Sequence, residues 1–184
     1  MQIGNFDMKF TICFPLKDGK VAMIYRHKQP WLNRWNGAGG KIEPGETPYE
    51  SVCREMMEET EIDLTQASSL RYAGVVTWEG WQNQQADRIT SGMFAFVSDL
   101  APHQLTWEED RAINEGIIAW KPIDWVCTIG NPEIADNVPH FLSHMIISEK
   151  PMQYHCVFDD GDKLQRVDVL DLPEILKNTH QGLC

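Results

Sequence analysis

The sequence lacks the features of a secreted, membrane-spanning or zinc-binding protein. Its five cysteines are an odd number, are widely spaced and form no CxxC pair, so neither a disulfide framework nor a zinc knuckle is indicated. We interpret them as reduced thiols, most of them in the core. No apolar run approaches the roughly 18 residues of a membrane span, and the start MQIGNFDMKF does not resemble a signal peptide. We therefore expect a cytoplasmic protein that does not enter a membrane.

Positive charge is also scarce. The chain has 16 Lys and Arg against 27 Asp and Glu, a formal net charge of -11. Because such a surface repels polyanions, we expect neither long nucleic acid nor an anionic membrane as a partner, whereas a small phosphate compound screened by a cation remains open. The 184 residues are 42% hydrophobic, which suits one folded domain. We place it at residues 1–172, followed by a C-terminal tail at 173–184.

Local patterns predict mixed α/β structure with mostly hairpin-linked strands. Asp18-Gly19 marks a first hairpin turn and Asp160-Gly161 a last one. A helix is predicted from Pro48 to about Thr60, because Thr47 and the Glu three residues later have the form of a capping box. A second helix is predicted in VPHFLSHMII, and further strands in RYAGVVTWEGW, ITSGMFAFV and GIIAWKPI, with WQNQQAD as a loop.

The first predicted helix carries three carboxylates on one face. Glu55, Glu58 and Glu59 stand at i, i+3 and i+4, where like charges destabilise the helix unless a cation neutralises them. An all-carboxylate ligand set suits Mg²⁺, with Mn²⁺ as a substitute, and Mg²⁺ commonly shares its remaining sites with substrate phosphates. By spacing alone, acidic residues on a helix more often form a solvated face than a metal site.

The stretch GGKIEPGETPYESVCREMMEETEI resembles the Nudix box. Its fixed positions are matched by Gly40, Glu46, Arg54, Glu55, Met56, Glu58, Glu59 and Ile62. Glu61 stands where the family has Gly. A side chain at such a left-handed position costs on the order of 1 kcal/mol, so we expect the helix to end differently there. The resemblance implies an α/β fold, the Nudix α/β/α sandwich with a mixed sheet.

The resemblance also implies roles for the residues of the box. Glu55, Glu58 and Glu59 are then catalytic metal ligands, and backbone carbonyls near Gly39 and Gly40 complete the metal site. Arg54 would orient the carboxylates through ion pairs, and Glu46 would lock the preceding loop to the helix. Lys41 would neutralise a substrate phosphate, or simply face solvent.

Beyond the box, the chain resembles MutT-like hydrolases of oxidised purine nucleoside triphosphates. Trp35-Asn36-Gly37 is similar to that group's entry to the box, which implies that Asn36 contacts the base. Glu115 in NEGIIAWKP resembles a loop carboxylate that acts as an extra metal ligand or water-activating base. Its nearby rivals are Glu108, Glu109 and Asp110.

A second base-binding segment departs from the group in two places. In Ile134-Ala135-Asp136-Asn137, Ile134 replaces an aromatic that would stack on a purine, and Asn137 replaces one of two acids. Both departures weaken the resemblance to 8-oxopurine readers unless Trp78 supplies the stacking. Asp136 and Asn137 still suit the polar edge of a purine. The predicted substrate-binding set is completed by Thr11, Asn36, Lys41 and Trp78.

The function implied is Mg²⁺-dependent hydrolysis of a nucleoside triphosphate, with 8-oxo-dGTP as one candidate, to the monophosphate and pyrophosphate. One alternative is hydrolysis of another nucleoside diphosphate derivative, such as ADP-ribose, a nucleotide sugar or a dinucleoside polyphosphate. The other is a non-catalytic domain that senses a nucleotide. We expect a monomer or a homodimer.

Overall fold

The computed structural model describes residues 2–3, 5–81, 88–104 and 107–177. The predicted WQNQQAD loop falls almost entirely on residues 82–87, outside the described ranges. So do Cys184 and most of the predicted tail. Among the described residues, no helix is both long enough and apolar enough to cross a membrane.

One mixed sheet of ten strands forms the centre of the molecule. Its main order is β10-β9-β5-β6-β2-β3-β8-β7, with β1 paired to β2 and β4 paired to β3. The pairs β2–β6 and β5–β9 are parallel and the others antiparallel. The strands are β1 Gln2–Ile3, β2 Phe6–Lys17, β3 Lys20–Arg26, β4 Trp35–Asn36, β5 Ser69–Trp81, β6 Arg88–Asp99, β7 Arg111–Ile113, β8 Gly116–Pro122, β9 Met152–Phe158 and β10 Leu164–Asp171.

Helices cover both faces of this sheet. They are α1 Pro48–Thr60, α2 Ile123–Val126, α3 Val138–Ile147 and α4 Glu174–Lys177, with a short 3₁₀ turn at Leu64–Gln66. Val52 and Met56 of α1 are fully buried in a core cluster on one face. Phe141 and Met145 of α3 are fully buried in a second cluster on the other face. The predicted α/β/α sandwich with a mixed sheet is confirmed.

The local predictions around α1 are also confirmed, except at its end. Thr47 caps the helix, and its hydroxyl and the Glu50 side chain form the reciprocal bonds of a capping box. Glu61 takes the left-handed conformation itself, with φ of 60°, and its N–H donates to the carbonyl of Met57. The expectation of a different helix end is therefore wrong, because the backbone keeps the geometry that a glycine would adopt.

Several short elements were not predicted from the sequence. They include β7, α2 and α4, which are three or four residues long. Leu172 and Leu176 are nevertheless buried in the cluster beneath α1, so the chain contributes to this core as far as α4. Short elements of this kind contain too few residues to show a helical or strand period.

Candidate active site

A glycine loop lies directly against β2. The Thr11 N–H donates to the Gly40 carbonyl, and the Cys13 N–H donates to the Ala38 carbonyl, each at 2.8 Å. Gly39 has φ of 146°, and a Cβ on it would lie 2.3 Å from the Thr11 carbonyl oxygen. Only glycine allows the two backbones to approach so closely, and their pairing fixes the loop beside α1.

Two carboxylates of α1 contact this loop. The Gly39 N–H donates to Glu59 Oε2 at 3.0 Å. A Cβ on Gly40 would lie 2.4 Å from the carboxyl carbon of Glu55, so the absence of a side chain makes room for that carboxylate. Glu58 is more exposed and points away from the core. The helix and the loop therefore bring Glu55 and Glu59 together beside the middle of β2.

Arg54 connects the loop and the carboxylates. Its Nε donates to Glu46 Oε1 at 2.6 Å, and its Nη1 donates to Glu55 Oε1 at 2.8 Å and Glu58 Oε2 at 3.2 Å. Its Nη2 donates to Glu46 Oε2 and to the Lys41 carbonyl. The Arg54 hydrogen bond holds the pKa of Glu46 at about 2. These contacts are compatible with the orienting role predicted for Arg54 and the locking role predicted for Glu46.

Burial affects Glu59 most among these acids. Its pKa is raised to about 7, mainly by desolvation and also by the charges of Glu55 and Glu115, although the Gly39 hydrogen bond lowers it. The nearby Arg26 also lowers it. A carboxyl group that titrates near neutral pH is able to exchange a proton with water under physiological conditions.

Glu115 lies in the turn between β7 and β8 and reaches the same site. Lys28 Nζ is 2.9 Å from its Oε1, and Arg26 Nη2 is 3.3 Å from its Oε2. Two of its predicted rivals, Glu108 and Glu109, are exposed, and the third, Asp110, lies near Lys121 at 3.9 Å. Of these four acids, Glu115 is the one whose charge raises the pKa of Glu59.

The carboxylate side chains of this site are chemically suited to bind a hard cation. The available donors are carboxylate oxygens and glycine carbonyls, which Mg²⁺ prefers. A nearby cation would also favour the charged form of Glu59, whose desolvated carboxylate is otherwise disfavoured. As placed, the described residues contain no group of three His, Cys, Asp or Glu side chains arranged around a metal position. Arg54, Arg26 and Lys28 provide the positive charge that pairs with Glu55, Glu58 and Glu115.

The two predicted base-binding segments lie side by side. The Trp35 N–H donates to the Glu133 carbonyl at 2.7 Å, and the Ala135 N–H donates to the Trp35 carbonyl at 2.9 Å. Asn36 is half-buried, and its Oδ1 accepts from the Gly37 N–H. Asp136 pairs with Arg34. The segments containing Asn36 and Asp136 are thus in contact although they are a hundred residues apart in sequence.

Asn137 and Trp78 both lie next to Cys156. Asn137 is buried, its Nδ2 lies 3.8 Å from Cys156 Sγ, and its Oδ1 has no hydrogen-bond partner in the described structure. Cys156 is the strand partner of Trp78 across the β5–β9 pair. An unpaired buried acceptor is costly, so Asn137 Oδ1 is suited to accept a hydrogen bond from a ligand.

Three further residues were predicted to bind the substrate: Thr11, Trp78 and Lys41. Thr11 is buried and its hydroxyl has no partner among the described residues. Trp78 is half-buried with its ring 6.5 Å from that of Phe10. Lys41 is exposed, so its two interpretations, phosphate binding and solvent exposure, both remain open.

Sequence reasoning missed the cations at this site. Arg26 and Lys28 pair with Glu115, and Arg34 pairs with Asp136. The signal was present in the segment RHKQPWLNR, which concentrates basic residues in a chain whose net charge is -11. A local excess of positive charge in an acidic chain is a pattern from which ion pairs with distant carboxylates could have been predicted.

The chain is similar to proteins of one known family. The model of the NUDIX domain matches residues 9–141. The uncharacterized Nudix hydrolase YvcI of Bacillus subtilis is 31% identical over 140 residues, covering 75% of this chain and 78% of that protein. The mouse oxidized purine nucleoside triphosphate hydrolase is 29% identical over 70 residues, covering 38% of this chain and only 43% of the mouse protein.

A solved structure shows the same fold. The MutT protein of Bacillus halodurans superposes with a TM-score of 0.67 at 20% identity, covering 87% of this chain and 95% of that one. At this level of identity the match shows the fold.

Proposed function

The chain belongs to the Nudix hydrolase family, and from that premise we propose that it hydrolyses a nucleoside triphosphate to the monophosphate and pyrophosphate with Mg²⁺. The family implies hydrolysis of a nucleoside diphosphate-linked substrate, and the proposal specifies the triphosphate. One observation carries it: Glu55 and Glu59 lie against the Gly39-Gly40 loop, Glu115 is near enough to raise the pKa of Glu59, and Lys28 pairs with Glu115.

Each residue of this group has a distinct task in the proposed reaction. Glu55, Glu58, Glu59 and Glu115 would hold Mg²⁺ (or Mn²⁺) with the glycine carbonyls, and the chemistry supplied there would be Lewis-acid polarisation of phosphoryl oxygens. Arg54 keeps Glu55 and Glu58 in position through its hydrogen bonds. Glu115 would accept a proton from the attacking water if it does not bind the ion itself, and Glu59 is the other candidate for that step.

The base would lie between the two paired segments. Asn36, Asp136 and Asn137 offer polar atoms to its edge, Trp78 offers a ring, and Thr11 offers an unpaired hydroxyl. An oxidised purine such as 8-oxo-dGTP is the first candidate, because the mouse relative is named for oxidised purine triphosphates. Lys41 would bind a phosphate oxygen.

One observation favours a second candidate function. Ile134 is fully buried in the core beneath α3, so it presents no stacking surface to a purine. A substrate held less by its base and more by its phosphates, such as ADP-ribose, a nucleotide sugar or a dinucleoside polyphosphate, needs less stacking. A nucleotide-sensing domain without turnover would use the same pocket.

A hydrolysis panel distinguishes these functions. Ordinary and 8-oxo nucleoside triphosphates, ADP-ribose and diadenosine polyphosphates are incubated with and without Mg²⁺, and the products are separated by chromatography. We expect monophosphate and pyrophosphate from a triphosphate. Turnover confined to ADP-ribose or a dinucleotide would select the second candidate, and binding without any turnover would select the sensor.

Substitutions test the site assignment within the same panel. Glu58→Gln should lower turnover by orders of magnitude while the far-ultraviolet circular dichroism spectrum is unchanged, because an amide replaces a metal-binding carboxylate. Glu115→Gln should also slow turnover. Glu109→Gln is the matched control for both, since Glu109 is exposed and was a rival to Glu115. Near-wild-type activity of Glu58→Gln would contradict the assignment.

A further inference from the structure

The outer edge of β10 is a long strand edge at the end of the sheet. Among the described residues, β9 is the only strand that pairs with it. The strand at the opposite end, β7, has three residues, whereas β10 has eight. A long unpaired edge presents a row of backbone N–H and C=O groups that another strand is able to join.

Exposed apolar side chains surround this edge on both faces of the sheet. Val169 and Leu170 are 44% and 45% exposed, and because they are consecutive in a strand they point to opposite faces. Ile147, the last residue of α3, is 80% exposed. The nearby Lys150 pairs with Asp171, which joins the segment after α3 to the end of β10. A strand added at this edge would cover apolar surface on both faces.

The charges of β10 match those of a second copy of the same strand. Arg166 and Asp168 lie on one face and already pair within the chain at 2.9 Å. In an antiparallel pair with Val167 on the two-fold axis, Arg166 of each copy stands opposite Asp168 of the other. Moving the axis to Arg166 or Asp168 would instead oppose two like charges, which destabilises a strand pair.

We propose that two copies of this chain associate through β10 in this antiparallel register, which continues the sheet across the dimer. The contact is isologous, since the same surface is used by both copies, and it closes without further growth. No residue of β10 belongs to the candidate active site, so the contact does not require any residue of that site.

Sedimentation velocity over a concentration series tests the proposal on the full chain. We expect the wild type to dimerise and Val169→Lys to remain monomeric at the same concentrations. Ile129→Lys is the control, because Ile129 is 60% exposed outside this edge, and it should dimerise like the wild type. A wild type that is monomeric throughout the series would overturn the proposal.

Charge reversal tests the register. Arg166→Asp alone and Asp168→Arg alone should each raise the dissociation constant roughly tenfold, because each opposes like charges twice. The double variant R166D/D168R restores opposite charges across the axis and should recover the wild-type constant. A dimer that is indifferent to all three changes does not use this contact, and that result would also overturn the proposal.

A cysteine on the axis gives an independent measurement. Paired Cα atoms of antiparallel strands lie roughly 4.5 to 5.5 Å apart, within the range that a disulfide spans. Val167→Cys should therefore form an oxidised dimer on mild oxidation. Gln165→Cys should not, because Gln165 faces Val169 of the other copy. Equal cross-linking of the two variants would reject the register. Circular dichroism and thermal melting establish that each variant is folded.

Discussion

Glu59 gives the candidate site a pH dependence that is measurable without substrate. Its pKa is raised from 4.5 to about 7 by burial, so its stabilising contribution is complete below pH 4.5 and is lost as the pH rises through 7. Glu59→Gln should therefore gain stability relative to the wild type across that interval, by roughly 3 kcal/mol at most. Urea denaturation in chelator at several pH values measures this difference. Glu109→Gln should follow the wild type, and a Glu59→Gln difference that is independent of pH would contradict the assignment.

Glu61 tests the cost of a side chain at a left-handed helix end. Glu61→Gly relieves that strain but loses an ion pair with Arg111, in which both side chains are exposed and which contributes little. Glu61→Ala keeps the strain and loses the pair. Glu61→Gly should thus be more stable than Glu61→Ala by about 1 kcal/mol, measured by urea denaturation. Equal stability of the two variants would show that the backbone is not strained here.

The candidate site could be predicted from the sequence only where its residues are close together in the chain. The spacing of Glu55, Glu58 and Glu59 indicated one helix face, because three and four residues complete about one turn. The pairing of Arg34 with Asp136 could not be predicted. It depends on which strands and loops are neighbours, and no local pattern records that.

At the scale of elements, the capping box stabilises the first turn of α1, the helix that carries the carboxylates. The Thr47 hydroxyl accepts from the Glu50 N–H, and the Thr47 N–H donates to the Glu50 carboxylate. Thr47→Ala should lower the free energy of unfolding by about 1 kcal/mol. Thermal and urea denaturation check this, with Thr47→Ser as the control that retains the hydroxyl. An unchanged Thr47→Ala protein would mean that other contacts hold the first turn.

Elements joined by short turns were also predictable, but their order in the sheet was not. The predicted Asp18-Gly19 turn connects β2, which ends at Lys17, to β3, which begins at Lys20. In contrast, β5 pairs in parallel with β9, so Val75 lies opposite Gln153. Parallel strands are joined by a long connection, and the sequence pattern of one strand does not indicate which distant strand it pairs with.

At the scale of the molecule, the sheet is shared by two core clusters. Met56 is fully buried beneath α1, and Phe141 is fully buried beneath α3. Strands β2 and β6 supply side chains to both clusters, since consecutive residues such as Cys13 and Phe14 point to opposite faces. Disruption of one cluster would therefore also destabilise the strands that carry the other cluster.

This arrangement predicts a single cooperative unfolding transition. Met56→Ala should cost about 2 to 5 kcal/mol and Phe141→Ala about 3 to 5 kcal/mol, because each leaves a cavity in a closely packed core. Both should shift the same transition, and tryptophan fluorescence and circular dichroism should coincide for each variant. Urea denaturation with the two probes measures this. If Met56→Ala moved one transition and Phe141→Ala another, the two faces would unfold independently, and the sheet would not couple them as its shared strands require.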